Sequence, residues 1–132
     1  MTRSTAILIA AVLGLVGVAA GAFGAHGLRE HVTPQALEIW KTGAHYQQVH
    51  AVAMLALCMP AGEWTRARAV ATVAFTVGIV IFAGTLYGLT LGGPRILGAV
   101  TPLGGLSLMA GWLATGWYAL TLRKAASQAP AE

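Results

Sequence analysis

Six polar side chains carry most of the binding chemistry this chain offers: His26, Tyr46, Gln47, His50, Thr85 and Tyr87. Imidazole, phenol, amide and hydroxyl groups can all hydrogen-bond a small polar ligand or a lipid headgroup. A histidine can also take up and release a proton near neutral pH. Tyr46 and His50 are four residues apart, so on a helix they share a face. His45 and His50 are five apart, about 140° around a helix, and do not converge on one ion. His26 and His50 lie on different segments and can meet. However, no carboxylate lies nearby in the apolar runs to orient a metal-bound imidazole. The expectation is no metal and no cofactor. His31, beside Glu30, reads as a solvated loop residue.

Catalysis finds no support in the residue pattern. There is no pair of carboxylates set for acid–base work, no nucleophile next to a base, no phosphate-binding loop and no G-x-G-x-x-G. Glu30, Glu38 and Glu63 fall in loops or interfacial turns. Cys58 is the only cysteine, so neither an internal disulfide nor a Cys-based metal site can form. It lies in an apolar run and reads as a small buried hydrophobe. The reading is therefore non-enzymatic.

The elements that position these residues are set by composition. Apolar residues make up 57% and charged ones 9% of the 132 residues, where a soluble domain carries roughly 25% charged. So much apolar surface on so short a chain calls for hydrocarbon as its solvent. The net charge is +4, but the basic residues stand singly or in pairs at segment ends. No aromatic-interleaved basic patch exists for nucleic acid.

Four apolar segments follow. The first, Ser4 to Ala25, is uncharged and long enough to span a bilayer. Arg3 before it and Ala20-Gly21-Ala22 within it fit a cleaved signal peptide, yet the apolar run exceeds the roughly 7–15 residues of such a core, so retention is expected. A polar stretch, His26 to Thr42, leads to Thr33-Pro34, where threonine can cap and proline can start a helix. Its polar face turns apolar after Gln48. The expectation is a short interfacial helix between the first and second spans, bending into the membrane at Gly43, with an apolar part from Ala44 to Met59. The third segment runs from Ala69 to Leu91, after a polar loop from Glu63 to Arg68. Gly92-Gly93-Pro94 is a turn. The fourth runs from Ile96 to Leu122, with a kink expected at Pro102. Residues 1–122 form one domain, and 123–132 read as a flexible cytoplasmic tail.

These segments predict an all-α membrane protein, a compact antiparallel bundle of four transmembrane helices. An even number of spans puts both termini on one side, with Arg3, Arg66, Arg68, Arg123 and Lys124. Arg29, Lys41 and Arg95 lie opposite, so the excess places the termini in the cytoplasm. Trp64, Trp117 and Tyr118 are expected near the inner interface and Trp40 near the outer one. Helices in lipid associate through close packing, and Gly14, Gly17, Gly21 and Gly24 share one face of the first segment. Gly84 and Gly88 recur on the third, with Ala74 and Gly78 at the same interval. Gly104, Ser107, Gly111 and Ala114 form a stripe on the fourth.

Aligning the outer ends of the segments brings His50, Thr85 and Thr101 to a common depth. Tyr46, Gln47 and Tyr87 lie slightly above it, and His26 caps the layer. Polar groups in lipid are costly unless paired, so they are expected to face one another. Two uses are open. The layer can fix helix register, at about 0.6 kcal/mol per bond, or it can line a pocket for a polar ligand, a lipid headgroup or a proton. The expected surroundings are the lipid bilayer and a larger membrane complex or a homo-oligomer.

Four motifs in order carry a family resemblance: Gly21-Ala-Phe-Gly-Ala-His-Gly-Leu28, Thr42-Gly-Ala-His-Tyr-Gln-Gln-Val-His-Ala51, Phe82-Ala-Gly-Thr-Leu-Tyr87, and Thr101-Pro-Leu-Gly-Gly105 with Gly111-Trp112. Over nearly the whole chain except the tail, it resembles the small bacterial membrane family catalogued as domain of unknown function 423. Eukaryotic relatives of that family are called transmembrane protein 256. The resemblance implies a multi-pass membrane protein and carries over no activity; the expected location is the bacterial inner membrane, with both termini in the cytoplasm. The resemblance also implies serines at the positions of Ala83 and Thr85. Thr85 keeps its hydroxyl and Ala83 does not, so a ligand site needing both would be incomplete.

Overall fold

Threonines write three of the four helix starts. In the computed structural model, which describes residues 1–127, the side chains of Thr2, Thr33 and Thr65 accept hydrogen bonds from the backbone N–H groups of Thr5, Ala36 and Arg68. Each satisfies a donor that the first helical turn leaves free. The helices are α1 (Arg3–His26), α2 (Pro34–Cys58), α3 (Arg66–Thr90) and α4 (Ile96–Ser127). Gly92, at φ 84°, and the Gly93 N–H bond to the Gly88 carbonyl (2.8 Å) make the expected turn between α3 and α4.

Consecutive helices run in opposite directions. Trp40 meets Ala20, and Gln47 meets Leu13, while Arg3 meets Cys58. Thr90 meets Ala36 and Thr76 meets Met54. Thr85 meets Thr101 and Ser107 meets Ala74. Among the described residues, α2 packs extensively on α1 and α3, and α3 packs most extensively on α4; neither α1 nor α2 shares an extended interface with α4. The larger core lies where Met54, Phe75, Ile79, Leu108 and Tyr118 meet, and a smaller one surrounds Trp40 and Leu28.

Several expectations are corrected. No separate interfacial helix precedes α2; residues 27–33 form turns, and α2 passes through Gly43 unbroken. Gly43 has a packing role instead: a Cβ there would lie 3.0 Å from the Tyr87 ring. α4 continues through Pro102 and on to Ser127, so residues 123–127, expected in a frayed tail, are helical. The rest of that expected tail lies outside the described residues. Three helices, α1, α3 and α4, are long and apolar enough to cross a membrane. α2 falls short on composition because its first half carries Glu38, Lys41, His45, Gln47 and Gln48. Trp40 and Tyr118, expected near the outer and inner interfaces, turn their rings into the bundle.

The glycines divide. A Cβ on Gly17 would come within 2.9 Å of the Gln48 side chain, on Gly24 within 2.6 Å of the Trp40 ring, on Gly88 within 2.7 Å of Leu97 and on Gly111 within 2.5 Å of the Phe75 ring. A Cβ on Gly21 would lie 3.3 Å from the Gln48 amide nitrogen. These five make room for neighbouring side chains. Gly14 and Gly84 meet nothing within 4 Å, so these two do not pack as expected. Gly104 makes the closest approach, with the backbone of Phe82 against its missing Cβ, and a Cβ on Gly78 would come within 2.5 Å of the Leu108 side chain.

Candidate functional site

The six residues of the expected layer resolve into separate bonded units. Gln47 stands on the buried face of α2. Its amide nitrogen donates to the Leu13 carbonyl of α1 at 2.8 Å. Its amide oxygen accepts from the Tyr87 hydroxyl of α3 at 2.9 Å. The next residue, Gln48, donates to the Gly17 carbonyl at 2.8 Å. Two successive glutamines thus add a second donor to helical carbonyls of α1, reached over the glycine face. Above them the Trp40 indole donates to the Ala20 carbonyl at 2.7 Å, and its ring lies 4.4 Å from that of Tyr87.

His50 anchors a second unit. Nδ1 lies 2.7 Å from the Tyr46 carbonyl, one turn back on α2. Nε2 lies 3.2 Å from the Trp112 indole nitrogen of α4. A carbonyl only accepts and an indole N–H only donates. The imidazole therefore carries its proton on Nδ1 and presents a bare Nε2 to Trp112. The Tyr46 ring stacks on His50 at 5.8 Å and lies 4.8 Å from Phe82, while Phe75 packs against both His50 and Trp112. This aromatic cluster spans α2, α3 and α4. Beside it, Tyr46, His50, Phe82, Leu108, Met109 and Trp112 line a cavity of about 310 Å³.

Thr85 forms a third unit, bonded to Thr101 at 2.8 Å and to the Phe82 carbonyl at 3.0 Å. His26, the last residue of α1, is exposed and joins none of these units. The structure therefore brings Tyr46 to His50 and Gln47 to Tyr87, but the six residues do not share one pocket. Among the described residues, every buried side-chain nitrogen and oxygen has a hydrogen-bond partner.

Two features escaped the sequence reading. Trp112 completes the His50 unit; a tryptophan mid-way along an apolar segment, far from an interface, was the available signal. Arg68, expected in a polar loop, is fully buried. Its guanidinium donates to the carbonyls of Leu57, Glu63 and Pro60 at 2.8, 3.0 and 3.1 Å, between the rings of Trp64 and Tyr118. Arg3 donates to Cys58, Met59 and Pro60. Both cations sit where the helix dipole of α2 is negative and its last carbonyls lack intrahelical donors.

The model of a family described as protein of unknown function DUF423 matches residues 20–105. The chain is 37% identical to UPF0382 membrane protein YwdK of Bacillus subtilis strain 168, over 81% of this chain and 89% of that protein. It is 32% identical to a UPF0382 membrane protein of Haemophilus influenzae, over 84% and 90%. It is 37% identical to UPF0382 membrane protein C1782.12c of Schizosaccharomyces pombe, over 79% and 92%. No solved structure matches the chain.

Proposed function

The chain belongs to the DUF423 family, and from that premise we propose that it is a four-span membrane protein serving as a non-enzymatic accessory or structural component of a membrane assembly. The family's members matched here are named membrane proteins, and three helices suit a bilayer by length and composition. The fourth span is α2. Its 25 residues rise about 37 Å, more than the roughly 30 Å of hydrocarbon. It lies along α1 and α3 for its whole length, and its Trp40, Gln47 and Gln48 side chains bond to carbonyls of α1 and to the Tyr87 hydroxyl of α3. The excess of basic residues at the Arg3, Arg66 and Arg123 end supports termini on the cytoplasmic side of a bacterial inner membrane.

One observation carries the structural role: no buried polar side-chain atom among the described residues is left without a partner inside the protein. A site that awaits a polar ligand leaves donors or acceptors for it; here Gln47, His50, Thr85 and Tyr87 are already engaged with one another's helices. A binding role has its own support in the cavity beside His50 and Trp112.

Thermal unfolding of the purified protein, with cross-linking in native membranes, separates the two. His50→Ala should lower the melting temperature while leaving cross-links to one defined partner or second copy intact. A small molecule that raises the melting temperature, with its effect abolished by His50→Ala, would overturn the structural role in favour of binding.

A further inference from the structure

Three arginines gather near the loop between α2 and α3, and only two of them hold the fold. Arg3 and Arg68 are committed to the carbonyls that end α2. Arg66 is exposed, and no hydrogen bond or ion pair to the described residues engages it. It stands at the mouth of a groove of about 410 Å³ that runs along α3 over Val70, Val73, Ala74 and Val77 to Ser107 of α4. Met1, ahead of α1, and Ala69 line the same groove, and Ser107 brings α4 to its edge. Val70, Val73 and Val77 are 44–45% exposed, and they recur at a spacing that puts them on one stripe of the helix.

We propose that this groove seats one anionic phospholipid, with its phosphate on Arg66 and an acyl chain laid over Val70, Val73 and Val77. Dimensions and charge both argue for that occupant. From Arg66 to Val77 the helix rises about 16 Å, close to the roughly 15 Å of one leaflet's hydrocarbon. The end of the bundle around Arg66 also carries Arg3, Arg68, Arg123 and Lys124 against the single carboxylate of Glu63 among the described residues. A headgroup with net negative charge therefore gains over a zwitterionic one, while the tail has the same apolar wall in either case. Ser107 closes the far end with its hydroxyl turned to the Ala74 carbonyl at 2.8 Å, so it offers that end no free donor. The inference rests on the four-span reading, which fixes Arg66 at headgroup depth.

Native mass spectrometry of the full-length protein, extracted in mild detergent and supplied with phosphatidylglycerol or phosphatidylcholine, reads the site. The expected result is one tightly held phosphatidylglycerol, preferred over phosphatidylcholine by about fivefold, the weight of one cation at a membrane surface. Arg66→Gln should erase the preference, Val73→Trp should block the groove and release the lipid, and Arg123→Gln should change neither. Both test positions are exposed, so folding is preserved, which an unchanged circular dichroism spectrum checks. Equal retention of the two lipids by the unaltered protein would overturn the proposal. So would a preference that survives both variants, or its loss to millimolar inorganic phosphate, which would mark a free-anion site. A topology measurement on the loops is independent of all these outcomes, so failure of the lipid site and failure of the four-span reading are distinguishable.

Discussion

Gln47 donates to a backbone carbonyl of α1 and accepts from the Tyr87 hydroxyl of α3, so one amide ties three helices together. A double-mutant cycle between Gln47→Leu and Tyr87→Phe, read by unfolding in detergent, should return a coupling of about 0.6 kcal/mol and no more than about 1.7 kcal/mol. A coupling near zero would mean that the two side chains do not meet. Part of this was open to sequence reading. The four-residue spacing of Tyr46 and His50 put them on one face, and they do stack. Depth alone put Gln47, Tyr87 and Thr85 at similar levels, but depth is silent on rotation about the helix axis. That rotation turns Gln47 toward α1 and α3 and His50 toward α4, splitting one expected pocket into separate pairs. His26 missed the layer because α1 ends with that residue pointing away from its neighbours into solvent-accessible space.

At the scale of elements, the interface of α3 and α4 is the closest, and it depends on Gly78, Gly104 and Gly111 more than on the glycines of α1. At Gly104 the backbone of Phe82 occupies the place of a side chain, and backbone cannot rotate away. Gly104→Ala should cost about 1–3 kcal/mol through overpacking. Gly84→Ala, with open space at its Cβ, should gain up to about 1 kcal/mol from helix propensity. Equal effects of the two substitutions, measured by thermal unfolding, would contradict the assigned packing. Glycine spacing made these helices legible as packing elements, yet Gly84 and Gly104 look alike in sequence; only the facing residue separates them. The start of α2 was legible from Thr33-Pro34, whereas its passage through Gly43 was not. A glycine weakens an isolated helix, but here Tyr87 packs over Gly43 and α1 and α3 flank the helix on either side. Arg68 read as a loop charge because nothing local shows that the carbonyls ending α2 lie within its reach.

For the whole molecule, the decisive feature is the proposed crossing of the bilayer by α2 despite its polar first half, because only then do the loops at its two ends face opposite compartments. The proposed cytoplasmic termini and the lipid groove at Arg66 both follow from that crossing. The loop before α2 and the loop after it each offer an exposed position, His31 and Ala61. The direct test is labelling by a membrane-impermeant thiol reagent of single cysteines, His31→Cys or Ala61→Cys, in a Cys58→Ala background. The prediction is that His31→Cys reacts in intact cells and Ala61→Cys reacts only after the membrane is opened. Labelling of both positions from the same side would show that α2 does not span, and would contradict the account.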